Sequence, residues 1–118
     1  MKVFFTGTEN LQSLNPEILT RIHNVYNLNA NILIGNYQGF DQLALAFLSV
    51  IEYSNVRVYE TGSKLSFGYR IINAGRYPAQ DIEMSRQVDF MLAIHDGSRG
   101  VAANIKRMPP SKVRIIHV

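Results

Sequence analysis

"DFMLAIHDGSRGVAANIKRM" (89–108) decides how the rest of the chain is read. An apolar run over 89–96 predicts a buried strand. It enters Asp96-Gly97-Ser98-Arg99-Gly100, and a helix over 100–108 follows, stopped by Pro109-Pro110. A strand, a glycine-bearing loop and a helix in that order make one half of a parallel βαβ unit. "KVRIIHV" (112–118) supplies the strand that completes it. Toward the N-terminus the same alternation repeats. "KVFFTG" (2–7) is a strand, and Asn15-Pro16-Glu17 reads as a helix start, with Asn as cap, Pro at the first helical position and an acid at the positive dipole end. Ile18, Leu19, Ile22, Val25 and Tyr26 continue that helix at helical spacing. "NILIGN" (31–36), a helix over 39–53 and "VRVYET" (56–61) come next. Residues 62–78, punctuated by Gly62, Gly68, Gly75 and Pro78, break the rhythm as a loop insertion before a short helix over Ala79–Gln87.

This order predicts an α/β, Rossmann-like three-layer fold. Its five-stranded, mainly parallel sheet takes the order 3-2-1-4-5, in a single domain over 1–118. Length and composition agree: 118 residues suit one domain, and 47% hydrophobic residues suit a substantial core. The longest apolar run, Leu43–Ile51, is about half the ~20 residues that cross a bilayer, so no membrane partner is expected. The N-terminus reaches Gly7 too soon to read as a secretory signal, and a cytoplasmic location is expected. With no cysteine there is no disulfide, thiol nucleophile or thiolate metal site. His23, His95 and His117 are dispersed in sequence, and neither a metal nor a cofactor is expected.

The net charge of +3 is uneven. Residues 1–59 carry three cations and four anions, and residues 60–118 carry nine and five. Eight of the twelve cations are arginine, which suits bidentate contact with phosphate or carboxylate; a solvated surface is the plainer account of most of them.

In the expected topology ligands lie beyond the carboxyl ends of the first and fourth strands, where winding reverses. Three loops gather there. "GTEN" (7–10) offers Gly7 for close approach and the Thr8 hydroxyl. "GNYQGFD" (35–41) offers Asn36, Gly39 with access to positive φ, and Asp41, which could also cap the helix. "HDGSRG" (95–100) offers Asp96 for ribose hydroxyls, a nest of amides at Gly97, Ser98 and Gly100, and Arg99 for phosphate. Glu60, Tyr69, Arg70, Asn73, Arg76 and Tyr77 could form a lid, with Arg76 as the phosphate contact.

"ILIGNYQGFDQLALAFL" and "DIEMSRQVDFMLAIHDGSRGVAANI" together resemble the SLOG superfamily. These are Rossmann-like proteins related to DNA-processing protein A, the "Lonely Guy" phosphoribohydrolases and nucleoside 2-deoxyribosyltransferase-like proteins. Asp81, Met84, Asp89, Asp96, Gly97, Ser98, Gly100, Asn104 and Ile105 fall in register with the second motif. The resemblance covers most of the chain outside 62–78 and implies a nucleotide or nucleotide-derived ligand. It also shows departures: Asn36 stands for the usual Asp, His95 for Trp and Val101 for Thr. Most consequentially, Asn104 stands where the resemblance implies a nucleophilic Glu, and a carboxamide cannot form the glycosyl ester.

The expectation is therefore binding, by sensing or sequestering, of a nucleotide-derived small molecule without turnover. The alternative is an N-glycosidase or deoxyribosyltransferase-like enzyme working through Asp81 or Glu83, which are carboxylates of the right type. A second alternative is nucleic-acid binding by the basic second half. Because helix 39–53 is apolar on more than one side, a homo-oligomer through residues 40–53 is also expected, unless the 62–78 loop covers it.

Overall fold

The computed structural model describes residues 1–61 and 65–118. Gly62, Ser63 and Lys64, the first residues of the expected insertion, lie outside the described residues. Strand β1 (Lys2–Gly7) is the centre of a sheet whose order is β4-β3-β2-β1-β5-β6, with every pair parallel. Here β2 is Asn31–Gly35, β3 Val56–Tyr59, β4 Ile71–Ile72, β5 Phe90–His95 and β6 Val113–His117. The expected order reappears with one addition. The two-residue β4, from inside the expected loop, pairs with Val58 and Tyr59 and makes the sheet six-stranded rather than five-stranded.

Both faces of a parallel sheet are covered, so its strands are apolar at consecutive positions. Val3 and Phe5 face one side with Ile32, Ile34, Leu92 and Ile94, under α1 (Pro16–Asn27) and α2 (Phe40–Val50). Phe4, Leu33, Met91 and Ala93 face the other, under α3 (Ala79–Gln87) and α4 (Arg99–Lys106). Asn15 caps α1 as expected, its side chain accepting from the Ile18 amide at 2.8 Å.

Helix α2, apolar on more than one side in sequence, has its inward face chosen by the packing. Phe40, Asp41, Ala44, Leu45 and Leu48 are buried, while Val50 is 81% exposed. A helix apolar nearly all round leaves its rotation undecided until its neighbours are in place. Part of the outer face is covered from within the chain. Phe67 and Tyr69 pack against the same core as Phe47 and Ile51. The Ser49 hydroxyl donates to the Phe67 carbonyl at 3.3 Å, and the Tyr69 hydroxyl to the Tyr53 carbonyl at 2.6 Å. Among the described residues no helix is long and apolar enough to cross a membrane.

Candidate functional site

The carboxyl ends of β1 and β5 open into a cleft of about 400 Å³, at the point where the sheet's winding reverses. Thr6, Gly7, Thr8, Glu9 and Asn10 form one wall, and Ser98, Gly100, Val101 and Asn104 of the α4 entry form another. Tyr37, Tyr77 and Asp81 close it.

At the rim, Asp96 is held by three donors. Thr8 Oγ1 donates to its Oδ2 at 2.6 Å, Asn10 Nδ2 to the same oxygen at 3.2 Å, and the Ser98 amide to Oδ1 at 3.1 Å. The Thr8 hydroxyl also accepts from the Asn10 amide at 3.1 Å. These bonds, the one from Thr8 foremost, lower the pKa of Asp96 to about 2. The β1 and β5 loops are thereby tied by one exposed carboxylate.

On the inner side, Asn104 is buried and fully engaged. Its Nδ2 donates to Thr6 Oγ1 at 3.0 Å and to Asp81 Oδ2 at 3.1 Å, and its Oδ1 accepts from Arg107. Burial raises the pKa of Asp81, opposed by the Asn104 bond and the Arg107 charge. Asp81 thus presents a desolvated carboxyl, oriented by an amide, to the cleft. Burial likewise raises the Tyr37 phenol, whose oxygen accepts from Gln80 Nε2 at 3.2 Å.

Of the residues expected to bind, Gly7, Thr8, Ser98 and Gly100 line the cleft, and Asp96 braces it through Thr8 and Asn10. The others do not converge there. Asn36 is buried against Thr61 and Leu65: Oδ1 accepts from the Thr61 amide at 3.0 Å and from the Thr61 hydroxyl, and Nδ2 donates to the Leu65 carbonyl at 3.0 Å. Gly39 (φ 78°) backs onto β1's loop, where a Cβ would lie 2.5 Å from the Thr8 and Glu9 carbonyl oxygens. That close approach lets the Phe40 amide donate to the Thr8 carbonyl at 3.1 Å. Asp41 is buried in the α2 entry: Oδ2 accepts from the Tyr37 amide at 3.3 Å, and Oδ1 has no partner among the described residues. Its pKa is raised well above the usual carboxylate range by desolvation.

Gly97 and Arg99 are exposed outside the cleft, and Arg76 belongs to a neighbouring hollow with Glu60, Thr61 and Gln80, on the far side of Tyr77. Of the expected lid, Tyr77 alone reaches the cleft. Of the two candidate carboxylates, Asp81 lines it, whereas Glu83 accepts from Gln87 Nε2 at 2.8 Å beside a different surface hollow. The sequence reading missed Thr6, Glu9, Asn10 and Tyr37 as lining residues. A threonine in an otherwise apolar central strand was the available signal for Thr6. The parallel register also brings His95 and His117, dispersed in sequence, to a ring separation of 6.0 Å. Among the described residues no group of three or more His, Asp or Glu forms a metal site. No protein-family model matches the chain, and neither does any curated protein or solved structure.

Proposed function

We propose that this chain binds a nucleotide-derived small molecule in the β1/β5 cleft and holds it without turnover. The observation that carries the reading is the composition of that cleft: two tyrosines line it together with hydrogen-bonding groups from the β1 and β5 loops and from helices α3 and α4. The likeness of 81–105 to the SLOG segment supports the same ligand class. Absence of turnover rests on Asn104, whose amide is committed to Thr6 and Asp81.

One observation favours a second reading. Asp81 is a buried, amide-oriented carboxyl in a cleft wall, a placement found at acid–base sites. An N-glycosidase would use it as the acid or the nucleophile. Self-association through residues 40–53 belongs to the proposal too, with exposed Val50 and half-buried Leu43 as its remaining apolar support. A monodisperse monomer at micromolar concentration in solution scattering would remove that part.

The test is mass spectrometry of small molecules released from freshly purified protein, followed by incubation of the protein with whatever is recovered. A nucleotide derivative recovered in stoichiometric amount and unchanged on incubation is the expected result. A free base accumulating over time, and absent with Asp81→Asn, would establish the glycosidase instead.

A further inference from the structure

Resting on the reading that the cleft takes a nucleotide-derived molecule, we infer that it accepts an uncharged, hydroxyl-bearing nucleoside moiety and turns phosphoryl groups away. In sequence, Gly97-Ser98-Arg99-Gly100 before a helix reads as an anion seat. In the fold that seat is already occupied by the protein's own carboxylate. Asp96 takes the Ser98 amide, the one proton of the Thr8 hydroxyl and an Asn10 amide hydrogen. A phosphate arriving here would have to displace a carboxylate held by one amide of its own loop and two side chains of the β1 loop.

The charges around the cleft act in the same direction. Glu9 and Asp81 line it, Asp96 braces its rim, and among the described residues none that lines it is Lys, Arg or His. The cations that sequence offered are elsewhere. Arg99 lies outside the cleft, Arg76 sits beyond Tyr77 in a hollow shared with Glu60, and Arg107 reaches in only as far as Asn104 Oδ1. The opposing influences are Arg107, whose charge is felt by Asp81, and the entry of α4, whose aligned amides amount to roughly half a positive charge. Even with a proton on Asp81, the two carboxylates Glu9 and Asp96 outweigh one guanidinium and a half-charge, and a phosphate monoester adds about −1.5 to −2 of its own.

What the cleft does present suits a donor. The Glu9 and Asp81 carboxylates can accept from sugar hydroxyls, and Tyr37 and Tyr77 supply aromatic side chains to the walls beside a base. The ligand class follows from that pairing: hydroxyl donors beside an aromatic heterocycle, with no anionic group between them and the sheet.

Titration calorimetry tests this with the common ribonucleosides and 2′-deoxyribonucleosides, each against its 5′-monophosphate, at low salt. At least one nucleoside should bind with a submillimolar Kd, and its monophosphate should bind at least tenfold more weakly. Raising the salt to about 0.5 M, where screening shortens to a few ångströms, should narrow that ratio, as should Glu9→Gln. A monophosphate that binds as tightly as its nucleoside, or more tightly, overturns the inference and leaves the proposed ligand class standing. A ratio that neither salt nor Glu9→Gln changes overturns the electrostatic basis in favour of steric exclusion. If neither set binds, this inference fails, and the mass spectrometry of released molecules decides separately whether the wider ligand class stands.

Discussion

The loops after β2 and β5 look alike in sequence: each follows a buried strand, carries glycine and aspartate, and opens a helix. In the fold their aspartates are opposites. Asp96 stands in solvent with three donors on it and a pKa lowered to about 2. Asp41 is sealed inside with one amide at 3.3 Å, an oxygen without a partner among the described residues, and a raised pKa. The glycines differ in the same way. Gly39 is pressed against backbone, whereas a Cβ on Gly97 (φ 97°) would meet nothing within 4 Å. The β5 loop is built around an exposed charge and faces the cleft. The β2 loop is mostly packing: apart from Tyr37, which lines the cleft, its part in the site is to hold β1's loop from behind.

The glycines give the largest contrast. Gly39→Ala combines a left-handed backbone with a collision against two carbonyls, and should lose about 3 kcal/mol of stability by denaturant unfolding. Gly97→Ala should lose roughly 1–2 kcal/mol, from strain alone. Equal losses would mean that the two loops are packed alike.

Asp41→Asn should sharpen the comparison next. The folded protein retains a proton on Asp41 that the unfolded chain releases near pH 4. Native stability therefore falls as pH rises above about 4, by up to about 1.4 kcal/mol per pH unit until the raised pKa is reached. The variant should melt higher than the parent at pH 8, with the gap closing toward pH 4. A lower melting temperature for the variant at pH 8 would show that Asp41 is stabilised as the anion.

Asp96→Asn should act in the other direction and least. Its folded pKa lies below the unfolded value, so its stabilisation is complete above about pH 4 and fades as pH falls toward 2. Melting curves of the parent should show that acid-side loss, and those of the variant should lack it. An identical acid limb in both would mean that the Thr8 and Asn10 bonds contribute nothing to the folded state.

The architecture was legible because strands buried on both faces read as short apolar runs, and glycine, proline and asparagine mark their ends. Rotation and register were not. Helix α2 offered apolar residues on several sides, and the two-residue β4 lies below any periodicity a sequence can display. The site was half legible. Thr8, Asp96 and Ser98 sit on loops whose strands are adjacent in the sheet, so topology alone brings them together. Asn36, Gly39 and Asp41 have the residue types of a ligand loop, but those types serve equally to satisfy buried backbone and permit close approach. Only the depth of the loop separates the two uses, and depth is not written in local sequence.

The amide at position 104 also bears on how such a chain could change over generations. Asn104 Nδ2 lies 3.1 Å from an Asp81 oxygen, so an acid in its place would set two carboxyl groups against each other with one proton between them. The donor that steadies Asp81 and Thr6 would be lost in the same substitution. A lineage moving toward a carboxylate at 104 would first have to give up Asp81 or supply another cation beside it. Positions 81 and 104 are thus matched as acid and amide, and a change at either has to be answered at the other.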